Sequence, residues 1–125
     1  MIDLIEIIKD FTAHVSARAS EGGARYYSVP FFHYGSDESI AIKVSELSDG
    51  RPVVTDCGTT YDYWEMNDIA PARYENRINA VMEKFGLTRD GKVFSMVING
   101  VSPLFVRDSL SDFLSALCIL AHIDL

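Results

Sequence analysis

Two periods compete along this chain. From Ile40 to Ser45 the pattern is strict alternation, with Ile40, Ile42 and Val44 set against Ala41, Lys43 and Ser45. A period of two with one polar side predicts a strand with a wet face. Over residues 2–19 the spacing is helical instead: Ile5, Ile8, Phe11 or Thr12, and Val15 recur every three or four positions. This predicts a first helix, closed by Ser20-Glu21-Gly22-Gly23 with glycine as a left-handed cap. Residues 25–34 are rich in Tyr, Val and Phe and predict a strand, placed at an edge or bulged because Pro30 lacks a ladder donor. Asp49-Gly50 is a hairpin signal that leads into a third strand over 51–56.

The second half changes period again. Residues 59–68 fit a short helix. Pro71 opens a clearer one, with Tyr74, Ile78, Val81, Met82 and Phe85 on one face and Gly86 at its end. Asp90-Gly91 predicts a second hairpin, whose longer strand is KVFSMVI. Ser102-Pro103 suits the N-cap and first turn of a last helix running to about residue 123. The order α-βββ-αα-ββ-α over residues 1–125 predicts a single α+β domain, an antiparallel sheet of about five strands with helices packed on it. That order is also, by architecture alone, the one found in type III secretion chaperones, which leaves a dimeric peptide-binding chaperone as one functional alternative.

The last helix carries an anomaly. FLSALCILAHIDL is apolar nearly all round, whereas a surface helix needs only about a 100° apolar arc. Either it lies sandwiched in the core, or an Ile119–Ile123 ridge pairs with a second copy in a homodimer.

Composition narrows the function classes. The 125 residues are 48% hydrophobic and 23% charged, values of a folded domain with its own core. A net charge of −7, with Arg73 and Arg77 as the only local basic pair, argues against direct nucleic-acid binding. No apolar run is long enough for a membrane span, and the acidic MIDLIEIIKDF start is unlike a signal peptide, so a cytoplasmic location is expected. Cys57 and Cys118 match no metal or redox spacing. His14, His33 and His122 lack ligand spacing too, and neither metal nor cofactor is expected.

One stretch invites chemistry. Thr55-Asp56-Cys57-Gly58-Thr59-Thr60 resembles the first phosphate loop of the actin-like ATPases, which reads Asp-x-Gly-Thr-Thr. That resemblance implies a nucleotide-binding sensor or small enzyme centred on Asp56, Cys57, Thr59 and Thr60; the candidate binding residues of this stretch, whatever the ligand or partner, are Asp56, Thr59, Thr60, Tyr61 and Trp64. Yet it would need a second phosphate loop and an adenosine site, and the chain after Thr60 reads as helix. Cys57 as a nucleophile would need a base that no motif ties to it. A restriction-type nuclease would need Glu-x-Lys, which is absent. The competing reading is structural: Asp56 and Gly58 form a turn and Thr59 caps the next helix, with Asp62 reaching back.

From residue 39 onward the chain resembles the bacterial and phage family known as domain of unknown function 1828. The features that carry this are IAIKV, VVTDCGTTYDYWEM, RINAVMEKFGL, DGKVF and the tail DSLSDFLSALCILAHIDL. Thr55, Asp56, Gly58 and Thr60 match that family's turn, while Cys57 stands where Asp or Asn is usual and Trp64 where Leu is usual. The resemblance implies an α+β fold and no catalytic residue. With it, the leading expectation is a non-enzymatic module that binds a protein partner, such as a host defence component it inhibits or regulates.

Overall fold

The computed structural model describes residues 16–21, 24–30, 39–100 and 102–125, with side chains from Ile42 onward. Within them the fold is α+β. The strands are β1 (Ser16–Glu21), β2 (Ala24–Pro30), β3 (Ser39–Glu46), β4 (Pro52–Thr55), β5 (Thr88–Asp90) and β6 (Val93–Val97). The helices are α1 (Thr59–Met66), α2 (Glu75–Phe85), entered through a 3₁₀ turn at Pro71–Tyr74, and α3 (Pro103–Ala121). All strand pairs are antiparallel, in the order β1-β2-β3-β4-β6-β5.

Two expectations about the N-terminal half need correction. Residues 2–15 of the expected first helix lie outside the described residues, but 16–19 belong to β1 and not to a helix. Gly22-Gly23 separates two antiparallel partners, with Glu21 opposite Ala24. A Gly-Gly pair is as good a hairpin signal as a helix stop, and the small residues flanking it decide neither way. Pro30 does not mark an edge: β2 lies between β1 and β3, and Pro30 is its last residue, opposite Ser39. The irregularity sits on β1, between Ala17 and Ala19.

The alternation in β3, β4 and β6 sets the core. Val44, Val54 and Met96 face one another across three strands, and with Ile42 and Phe94 they line the buried side of the sheet. Against that side pack Trp64 of α1, Ile78 of α2 and the whole inner face of α3. Val106, Leu110, Phe113, Leu114, Leu117 and Leu120 of α3 are all essentially buried. Much of the apolar excess in α3 is therefore core. Ser102 caps this helix as its sequence suggests, its Oγ accepting from Phe105 N at 3.2 Å. Among the described residues no helix is long and apolar enough to cross a membrane.

The candidate functional site at the Asp56 turn

The turn between β4 and α1 begins as a continuation of the sheet. Asp56 N donates to Phe94 O at 3.0 Å, as the next rung of the β4–β6 ladder would. Its own carbonyl then turns away and accepts from Thr59 N at 3.0 Å and from Thr59 Oγ1 at 2.7 Å. Phe94 N is left without the ladder carbonyl, and the Asp56 side chain replaces it, Oδ1 accepting at 3.0 Å. The same oxygen accepts from Gly58 N at 2.9 Å, and Oδ2 accepts from Thr60 N at 3.3 Å. One carboxyl thus ties off the sheet and satisfies amides at the start of α1, which a helix must otherwise leave bare. Gly58, in the N-cap position, offers no side chain for that task.

Two consecutive residues of the turn have positive φ, Cys57 at 56° and Gly58 at 80°. Glycine adopts this region freely, and Asn or Asp tolerates it better than other side chains. Cys57 is neither of these, so its side chain is held in a region it enters at a cost. Cys57 is exposed, with Sγ 3.9 Å from Thr55 Oγ1.

The expected binding residues divide sharply. Asp56, Thr60 and Trp64 are buried, while Thr59 and Tyr61 are half-exposed. Trp64 donates from Nε1 to Leu120 O at 2.8 Å, joining α1 to the end of α3. Its ring meets Tyr61 and Phe94 edge-on, at centroid distances of 4.9 and 6.0 Å. The amides of Gly58 and Thr60, which a phosphate would need, already bond the Asp56 carboxyl. Burial pushes that carboxyl above the ordinary aspartate range, against the pull of its hydrogen-bond donors.

A second polar group closes the same corner. Arg89 of β5 donates to Glu75 at 2.9 and 3.4 Å and to Tyr61 Oη at 3.2 Å, with its guanidinium over the Phe94 ring. Its pairing with Glu75 holds the glutamate carboxyl below its ordinary range and raises the arginine. Nothing in Thr-Arg-Asp marks this role, because the partners are 14 and 28 positions away. Arg77, half of the basic pair, reaches the carbonyls of Ile123 and Leu125 and stacks on Tyr74.

The expected interface residues separate as well. Ile119 is 43% exposed, but Ile123 is 5% exposed and belongs to the core, so the two do not form one open ridge. The sequence reading missed a different apolar pair, Leu104 and Phe105 in the first turn of α3, exposed by 59% and 46%. Among the described residues no three of His, Cys, Asp and Glu come together as a metal site. No protein-family model, curated protein or solved structure matches the chain.

Proposed function

We propose that this domain is a non-enzymatic interaction module, of the bacterial and phage family that residues 39–125 resemble, and that it acts by binding a protein partner. A host defence protein that it inhibits or regulates fits that setting. The observation that carries the reading is the fate of its one chemically suggestive motif. The Asp56 carboxyl and the amides around it satisfy one another inside the fold, which makes the motif a scaffold for the surface and not a reagent.

The surface that supports recognition is the outward face of α3. Leu104 and Phe105 open it, and the exposed Asp108 and Asp112 follow one and two turns later. On a chain of net charge −7, this face suits a partner that presents an apolar patch flanked by lysine or arginine. Ile119, further along the helix, is where a second copy of the chain would meet it in a homodimer.

The test is capture from bacterial lysates with tagged protein, run beside a Leu104→Glu/Phe105→Glu variant. Both positions are exposed, so the variant should fold. The reading expects a stoichiometric partner that the variant loses. A partner retained by the variant would remove this surface from the proposal, and the absence of any stoichiometric partner across several lysates would remove the interaction itself.

A further inference from the structure

Of the four asparagines in the chain, Asn99 alone stands before glycine. Attack by a backbone nitrogen on an asparagine side chain needs an accessible amide on the next residue and room to reach it. The fold hinders this at the other three positions. Asn76 and Asn79 lie in α2, where the helix fixes the backbone dihedrals. Asn67 donates from Nδ2 to Tyr63 O at 2.8 Å, and the amide after it, Asp68 N, donates to Glu65 O at 3.4 Å. Asn99 differs on each count. It is exposed, on irregular chain past the end of β6, and among the described residues Gly100 N makes no hydrogen bond.

Two neighbours define the site further. Arg51, in the turn between β3 and β4, donates from Nη1 to Asn99 Oδ1 at 2.7 Å, while its Nε donates to Asp49 Oδ2 at 2.8 Å. A guanidinium only donates, so the atom it touches is the amide oxygen and not the nitrogen. Its charge therefore sits where an oxyanion develops when a nucleophile adds to the amide carbon. The Phe105 ring covers Gly100 so closely that a Cβ there would lie 2.7 Å from Cδ1. The ring keeps this position glycine, and glycine leaves its own nitrogen open to approach.

We propose that Asn99-Gly100 is a self-modification site, at which the Gly100 nitrogen displaces the Asn99 side-chain amide while Arg51 stabilises the carbonyl oxygen. The Gly100 nitrogen loses its proton and bonds to Asn99 Cγ. The Cγ–Nδ2 bond breaks, and Nδ2 takes up a proton and leaves as ammonia. Water then opens the cyclic imide at either carbonyl. One product is aspartate, which sets a carboxylate against Arg51 and turns a neutral acceptor into a charge-assisted pair. The other is isoaspartate, which lengthens the main chain by a methylene group directly before Gly100. The Phe105 ring has no slack there, so this product moves Phe105. The effect on recognition rests on the role proposed above for Leu104 and Phe105, whereas the chemistry at Asn99 does not.

The experiment incubates the full chain at mildly alkaline pH and locates amide-to-acid conversion by peptide mass spectrometry, with electron-transfer fragmentation to tell isoaspartate from aspartate. Folded protein and protein unfolded in urea are compared, each with and without Arg51→Gln. The Arg51 side chain is 43% exposed, so this variant should fold. In the folded protein, conversion should concentrate at Asn99 and give both products, with Asn67, Asn76 and Asn79 intact. Arg51→Gln should slow it several-fold in the folded state and leave the unfolded rate unchanged, which separates the fold's contribution from that of the bare Asn-Gly pair. Asn99 that stays intact in folded protein after the unfolded protein has converted overturns the proposal, as does conversion spread evenly over the four asparagines. An equal or faster rate in folded Arg51→Gln also overturns it, since the hydrogen bond would then be idle or a restraint.

Discussion

Trp64 separates a structural turn from a binding turn, because the two roles predict opposite readouts for one substitution. In Trp64→Phe the ring remains aromatic, but the Nε1 donor to Leu120 O is lost, together with part of a fully buried volume. The Leu120 carbonyl also receives Ile123 N at 3.2 Å, so it is not abandoned, and the hydrogen-bond loss belongs at the low end, about 1 kcal/mol. Partial collapse around the smaller ring adds about another 1 kcal/mol. The sum, about 2 kcal/mol, is a large part of the 5–15 kcal/mol typical of a domain. Urea unfolding followed by far-UV circular dichroism reads this directly. With a slope of about 1–3 kcal/mol per molar, the midpoint should fall by about 1 M while the slope is unchanged. A loss below about 0.5 kcal/mol would refute the account of Trp64 as the tie between α1 and α3. Unchanged stability together with lost partner binding would return Trp64 to a binding role.

Three further outcomes follow from the same geometry. Cys57 holds a φ of 56°, so Cys57→Asn should stabilise the fold by about 0.5–1 kcal/mol in the same urea assay, and Gly58→Ala should destabilise it by about 1 kcal/mol, since the added Cβ meets only an ordinary contact with Lys92 O but a φ of 80° strains it. Ile119→Glu should leave the melting temperature within a degree or two, whereas Ile123→Glu places a carboxylate in the core and should cost upwards of 3 kcal/mol; equal effects would contradict the burial of the pair. Because the folded state holds the Asp56 proton more tightly than the unfolded chain does, the Asp56 contribution to stability should fall as pH rises from 3.8 through the folded-state value and then level off, a slope that Asp56→Asn removes.

What could be read from the sequence was whatever is decided locally. The alternation through Ile42 and Val44, the amphipathic face of α2, the Asp90-Gly91 turn and the Ser102-Pro103 cap each need only near neighbours, and each occurs as written. The failures lie where partners are distant or signals are shared. Gly22-Gly23 serves a hairpin as well as a helix end, and only pairing with β2 selects the strand for 16–19. Ile119 and Ile123 are one turn apart, so they look equivalent in sequence, yet the chain beyond Ala121 turns Ile123 inward. Leu104 and Phe105 resemble any apolar first turn until α3 is placed against the sheet.

The resemblance of the Asp56 turn to a phosphate loop has the same physical root as its structural use. A strand that ends in a tight glycine turn and then starts a helix exposes several backbone amides at once, and bare amides at a helix start attract negative charge. A phosphate loop leaves those amides open for a ligand. Here Asp56 stands at the head of the turn with its side chain directed inward, and the carboxyl takes the amides of Gly58, Thr60 and Phe94. The chain supplies its own anion. The short pattern Asp-x-Gly-Thr-Thr fixes the amides but not which anion fills them. That depends on whether the aspartate is buried, which in turn depends on Trp64, Phe94 and α3, residues that lie far from the motif and close over it only in the fold.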